Sequence, residues 1–257
     1  MSKKNKKFYK NVFISDIHLG TKATKSDLLS DFLSSFECET LWLVGDILDG
    51  WQMSKNSAYF PQQHVNIVRK ILSKAKKGTI VKYVIGNHDD FLRKYQDLVH
   101  SFGNIQIENE FLFTSVSGKK YLVTHGDLYD GIVLHHKWLA YFGDTLYNLA
   151  VDLNTIVNKV RSYYGFNYWS LANFLKSKVK TALEFIFAFQ TSVTREAKRR
   201  ELDGVITGHI HVPHFEIIDG IEYWNDGDWT ESCSAIVEHE DGKMEIIYVK
   251  ELQNEDN

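Results

Sequence analysis

At 257 residues with 44% hydrophobic side chains, the chain is long enough to bury a substantial core, as one domain or as a domain carrying an insertion. Its formal net charge of -3 excludes a global field that would collect polyanions, so any attraction for phosphate must come from a local site. The two cysteines, Cys38 and Cys233, form no CxxC pair, which excludes a zinc finger or a disulfide framework and fits a reducing compartment.

The N-terminus carries Lys3, Lys4, Lys6, Lys7 and Lys10, followed by an apolar run, Val12 to Ile14, that is too short for a signal-peptide core or a membrane span. It reads as a solvated basic tail. Short apolar runs rich in β-branched and aromatic residues then predict buried strands at Asn11 to Ser15, Thr40 to Val44, Ile80 to Ile85, Tyr121 to Thr124 and Gly204 to Thr207. Helix-period stretches, Ser26 to Phe36 and Gln62 to Lys76, separate the first three, and this β-α-β-α-β opening argues for a layered α/β sheet.

From Ile132 to Arg200 the strand pattern stops. Apolar residues recur at helical spacing through Trp138, Phe142, Leu146 and Leu149 and again at Leu183 and Phe187, with ten Lys or Arg against four Asp or Glu. The expected organisation is a core over residues 8–131 and 201–250 interrupted by a basic, aromatic-rich helical cap over 132–200. After His214, runs at Glu222 to Trp224, Ala235 to Glu238 and Met244 to Val249, separated by Asp-Gly pairs at 219, 226 and 241, predict antiparallel strands. Two sheets packed face to face with helices outside accommodate both halves: a two-sheet α/β sandwich with a helical insertion.

Each of the five early strands runs straight into residues that bind metals. Asp16 and His18 follow the first, Asp46 the second, Asn87 and His88 the third, His125 the fourth, and His209 and His211 the fifth. In α/β folds the loops beyond the carboxyl ends of the strands gather at one edge, so residues spread along the chain can converge there. Carboxylates, imidazoles and one amide oxygen without a thiolate suit divalent manganese, iron, cobalt or zinc in a catalytic site. Two cations about 4 Å apart lower the pKa of a water between them and neutralise charge on phosphoryl oxygens, as phosphate-ester hydrolysis requires.

The stretches DIH at Asp16 to His18, GDILD at Gly45 to Asp49, GNHD at Gly86 to Asp89, HGD at His125 to Asp127 and GHIH at Gly208 to His211 resemble, in order, the five blocks of calcineurin-like metallophosphoesterases. The resemblance implies that Asp16, His18 and His211 hold one ion, that Asn87, His125 and His209 hold the other, and that Asp46 bridges them. It implies a catalytic role for His88, donating a hydrogen bond or proton to the leaving oxygen, with Asp49 on its other nitrogen. It places Asp89 and Asp127 behind the site, steadying a loop and a ligand histidine. His64, His100, His135, His136, His214 and His239 fall outside the blocks and read as structural or solvated.

Within that superfamily the THGD, TGHIHVPHFE and GDWTES stretches, at Thr124, Thr207 and Gly227, look related to the UDP-2,3-diacylglucosamine pyrophosphohydrolases, which carry a helical insertion in the same place. That likeness implies manganese, a nucleotide-linked or lipid-linked phosphate as substrate, a cytoplasmic location with peripheral contact at the inner face of the membrane, and no nucleic-acid partner. One departure stands out. Those enzymes have an arginine after the third-block asparagine, and here His88 follows Asn87, as in the wider superfamily, which also fits a general phosphodiesterase with another substrate. A non-catalytic scaffold would be expected to have lost ligands, and none of the seven is missing. A nuclease would be expected to show broad basic surface on the core, whereas the positive excess sits in the insertion.

Overall fold

The structure, a computed structural model, describes residues 6–54, 59–95, 101–129 and 171–249. Trp138, Phe142, Leu146 and Leu149 of the expected insertion lie outside the described residues, as do Lys3, Lys4, His100, His135 and His136. Two units separate, Met1–Leu128 with Val193–Asn257 and Tyr129–Ser192. In the second unit the described residues form most of a long helix, α4 (Leu171–Arg199), on which Leu183 and Phe187 are exposed.

In the first unit, strands β1 (Lys7–Ile14), β2 (Phe36–Val44) and β3 (Ile80–Val84) run parallel, with Val12, Leu41 and Val81 in register. They are joined by α1 (Ser26–Ser35), the short turn of helix α2 (Gly50–Met53), and α3 (Gln62–Lys76). Helix α1 buries Leu29, Phe32 and Leu33, and α3 buries Ile67, Ile71 and Ala75, the i, i+3 and i+4 pattern of a helix lying on a sheet. Further along come β4 (Ser101–Phe102), β5 (Ile105–Glu108), β6 (Glu110–Thr114), β7 (Lys120–Thr124), β8 (Gly204–Thr207), β9 (His214–Ile218), β10 (Ile221–Asn225), β11 (Ser234–Glu238) and β12 (Met244–Tyr248).

Two sheets result, a seven-stranded one in the order β12-β11-β1-β2-β3-β5-β4 and a five-stranded one in the order β6-β7-β8-β10-β9. Between them lies a core in which Phe13 stacks on Trp42 at 5.3 Å and both meet Phe113 edge-on. The alternate residues of the same strands, Val12, Ile14, Leu41 and Leu43, face a second core with α1 and α3. Strands buried on both faces explain the continuous apolar runs in the sequence.

Several expectations change. The basic tail is partly structural: Lys7 opens β1, and Lys6 and Lys10 pair with Glu37 and Glu39 of β2 at 2.7 and 2.8 Å. Strand β2 begins at Phe36, where α1 ends, without an intervening loop. The Asp-Gly pairs at 219 and 241 do turn hairpins, β9 to β10 and β11 to β12. The pair at 226 does not, because β10 and β11 belong to different sheets. Strand β10 also lies parallel to β8, so the C-terminal strands are not purely antiparallel.

Candidate metal centre

The carboxyl ends of β1, β2 and β3 meet those of β7 and β8 across the sandwich. Backbone bonds lock the loops together: Asp16 N–H donates to Gly45 O at 3.0 Å, His18 N–H to Asp46 O at 2.9 Å, and Gly50 N–H to His88 O at 3.0 Å. Five of the expected ligands, Asp16, His18, Asp46, His209 and His211, have left-handed backbones, with φ of 49, 52, 52, 73 and 57°. This conformation is uncommon for residues with a side chain and recurs where a surrounding network holds functional groups in place. The glycines of the blocks permit that proximity. A Cβ on Gly86 would lie 2.2 Å from Asp46 Oδ1, and one on Gly45 would lie 2.4 Å from the His125 ring.

Around Asp46 the side chains converge in groups. Asp16, His18 and His211 form one set with ligand atoms within 4.8 Å of one another, and Asp46, His125 and His209 form another; Asp46 also groups with His18 and His88. Asp46 Oδ2 is 3.3 Å from His125 Nε2 and 4.0 Å from His18 Nε2, between the two sets. Asp46 Oδ1 is otherwise engaged, accepting the His88 N–H at 2.8 Å. Asp16 divides its oxygens the same way: Oδ2 accepts from Ser15 Oγ and the His209 N–H, while Oδ1 points to His211 Nε2 at 3.1 Å.

Among the described residues ten buried side-chain polar atoms have no hydrogen-bond partner, and four of them are Asp16 Oδ1, His18 Nε2, Asn87 Oδ1 and His125 Nε2. Orphaned polar atoms are rare in protein interiors. These four belong to expected ligands, and the set fits a pair of divalent cations in donor type and placement.

The electrostatics agree. Burial opposes charge on His18 and His125, but the neighbouring carboxylates prevail and lift them to about 9 and about 10: those of Asp16 and Asp49 act on His18, and those of Asp46 and Asp16 on His125. Burial likewise tends to raise Asp16, yet the charges of His211 and His125 hold it well below the usual carboxyl range. The carboxylate charge that raises these histidines also favours cations, and metal ions entering the pocket must displace those protons.

The supporting residues are partly as expected. Asp89 steadies the GDILD loop by accepting the Ile47 and Leu48 N–H groups at 3.0 and 2.7 Å. Asp127 instead takes a hydrogen bond from Arg93 at 2.8 Å, and His125, an expected ligand, meets the Val44 carbonyl through Nδ1 at 2.8 Å. Asp49 Oδ2 is 3.0 Å from His88 Nδ1 and also 3.4 Å from His18 Nδ1. Two contributors lie beyond the sequence reading. Asp228 contacts His211 Nδ1 at 3.0 Å, from within the GDWTES stretch, and Trp51, half exposed, lays its ring 4.0 Å from that of His88.

Residues 9–213 match the family model for calcineurin-like phosphoesterases. Among solved structures the chain is similar to Yfce, a phosphoesterase from E. coli, with 18% identity over 93% of this chain and 98% of that one and a TM-score of 0.42. It is similar also to an archaeal phosphodiesterase, with 14% identity over 93% and 98% of the two chains and a TM-score of 0.42. Vps29 from Entamoeba histolytica, solved with zinc, shows 12% identity over 93% and 98% and a TM-score of 0.41. No curated protein matches.

Proposed function

Because this chain belongs to the calcineurin-like phosphoesterases, we propose that it is a two-metal hydrolase of phosphoester or pyrophosphate bonds, acting on a nucleotide-linked or lipid-linked phosphate in the manner of UDP-2,3-diacylglucosamine pyrophosphohydrolases. The observation that carries the reading is the set of four orphaned ligand atoms, Asp16 Oδ1, His18 Nε2, Asn87 Oδ1 and His125 Nε2, buried around Asp46. Asp16, His18 and His211 would hold one cation, Asn87, His125 and His209 the other, and Asp46 would serve both. Manganese is the proposed metal. Bound there, the cations supply Lewis acidity and a water acidified to near neutrality.

The chain's own residues do the rest. His88 is partly open to solvent, keeps its Nδ1 beside Asp49, and has its Nε2 3.9 Å from Asp46 Oδ2, at the rim of the metal pocket. From there it donates a proton to the departing oxygen, while Asp49 holds the ring orientation. Trp51 covers the other side of the His88 ring and presents an aromatic surface to the substrate. No helix among the described residues is long and apolar enough to cross a membrane, so contact with a lipid substrate in the proposed cytoplasmic setting would be peripheral.

The test is manganese-supplemented hydrolysis of UDP-2,3-diacylglucosamine beside bis-p-nitrophenyl phosphate, with Asp46→Ala and His88→Ala as controls. Release of UMP that both variants abolish supports the lipid substrate. Activity confined to the small diester keeps the two-metal hydrolase and removes the lipid.

A further inference from the structure

Arg93 lies in the short 3-10 helix Asp90–Tyr95 that follows the GNHD block, outside all five blocks that carry the expected ligands. Its guanidinium reaches four residues. Nε donates to Asn109 Oδ1 at 3.1 Å, Nη1 to Asp90 Oδ1 at 2.9 Å, and Nη2 to both the Ile85 carbonyl at 3.2 Å and Asp127 Oδ2 at 2.8 Å. A planar fork of donors can hold several acceptors in fixed relation, which a single ammonium cannot do.

Two of those partners bracket the metal centre. Ile85 is buried at the exit of β3, two positions before Asn87, and Asp127 follows β7, two positions after His125. Strands β3 and β7 belong to different sheets. One guanidinium therefore ties together the exits of two strands from facing sheets. The side chains it brackets are two expected ligands of the same cation, and their Asn87 Oδ1 and His125 Nε2 atoms are buried without a partner.

Asp127 depends on Arg93 in turn. Its side chain is only 7% exposed and its other oxygen, Oδ1, is buried with no hydrogen-bond partner, so the adjacent guanidinium offsets a carboxylate that burial disfavours. The opposite cation set is held by other groups. Asp49 lies 3.4 Å from His18 Nδ1, Asp228 meets His211 Nδ1 at 3.0 Å, and Ser15 Oγ and the His209 N–H hold Asp16 Oδ2. We propose that Arg93 is a positioning residue for one cation of the pair: it sets the spacing of Asn87 and His125, and with it the affinity of the site they share with His209. The proposal rests on the two-cation reading of the centre.

The test is calorimetric titration of the metal-free full chain with manganese, the two binding phases being assigned with His125→Ala and His211→Ala. Arg93→Met is expected to weaken the phase that His125→Ala removes by ~10–100-fold and to leave the other in place. Arg93→Lys keeps a charge beside Asp127 without the fork, and should weaken the same phase by about threefold or more; it decides the point if Arg93→Met does not fold. Asp90→Ala removes only the exposed partner and should change neither phase. An unchanged phase in the folded Arg93 variants, equal weakening of both phases, or a matching shift in Asp90→Ala overturns the proposal. Hydrolysis does not enter the readout: a wild type that binds two cations and cleaves no phosphoester overturns the hydrolase alone, whereas a wild type with a single phase overturns the cation pair and this role with it.

Discussion

Asp49 and His88 are paired across the rim of the metal pocket, carboxylate Oδ2 to ring Nδ1 at 3.0 Å, and the same oxygen lies 3.4 Å from Nδ1 of His18. One carboxylate thus orients both the proposed proton donor and a proposed metal ligand. His88→Ala is expected to lower kcat by ~10²–10⁴-fold with metal content unchanged, the range for loss of a positioned acid. Asp49→Asn is expected to lower both activity and metal affinity by ~10–100-fold, because it also releases His18. Steady-state kinetics beside metal analysis separates the two; metal loss in His88→Ala would reassign that residue as a ligand.

Asp228 holds His211 by Nδ1 at 3.0 Å and is itself fixed by Thr230 Oγ1 and the Ser232 N–H. Asp228→Ala should therefore weaken occupancy of the cation site at Asp16, His18 and His211 by ~10–100-fold while leaving the other site filled. Calorimetric metal titration should show one of two binding phases shifted. Two unshifted phases would mean that Asp228 only shapes the loop.

Gly86→Ala would place a methyl carbon 2.2 Å from Asp46 Oδ1 and 2.5 Å from its backbone nitrogen. Neither atom can retreat without moving the carboxylate between the two sets. Destabilisation of ~1–3 kcal/mol and loss of bound metal are expected together. Gly103→Ala is the control: its Cβ meets nothing within 4 Å and only its φ of +64° is costly, by ~1–2 kcal/mol, with metal retained. Melting curves and metal stoichiometry on both proteins decide the point.

Metal removal should change how stability depends on pH. In the metal-free protein His18 and His125 are raised to about 9 and about 10, above the ordinary histidine value of 6.5. Their proton binding contributes stability fully present below pH ~6.5, which is lost as pH rises through ~9 to ~10. The melting temperature in EDTA should fall over that window, and added manganese should flatten the fall by taking the protons' place. At pH 7, metal binding should release protons, seen as a heat that changes with buffer ionisation enthalpy. A pH-independent melting temperature in EDTA would contradict the carboxylate field described above.

The readable part of the fold was the part whose burial imposes a pattern. β2, β3, β7 and β8 are buried over most of their length and β1 at its carboxyl end, so they appear as apolar runs, and α1 and α3 each bury one stripe. Strands β5 and β6 were not legible, because their residues are mostly half-exposed or exposed and leave no clean alternation.

By itself the sequence determined the family blocks and their position at strand ends, since in each block the expected ligand follows the strand within a few residues. Tertiary structure alone decided what joins those blocks. Asp226-Gly227 looks like a hairpin turn, yet it starts the crossing between sheets that brings Trp229 N–H to Asp16 O at 3.1 Å and Asp228 to His211. The resemblance implies that Asp127 steadies a ligand histidine, but Asp127 accepts from Arg93 and the Nδ1 of His125 meets Val44 O. His64 on α3 accepts the N–H of Gly20, 44 positions away. Hydrogen-bond partners of buried groups are chosen by whatever the folded chain brings within about 3 Å, and local sequence carries no record of that choice.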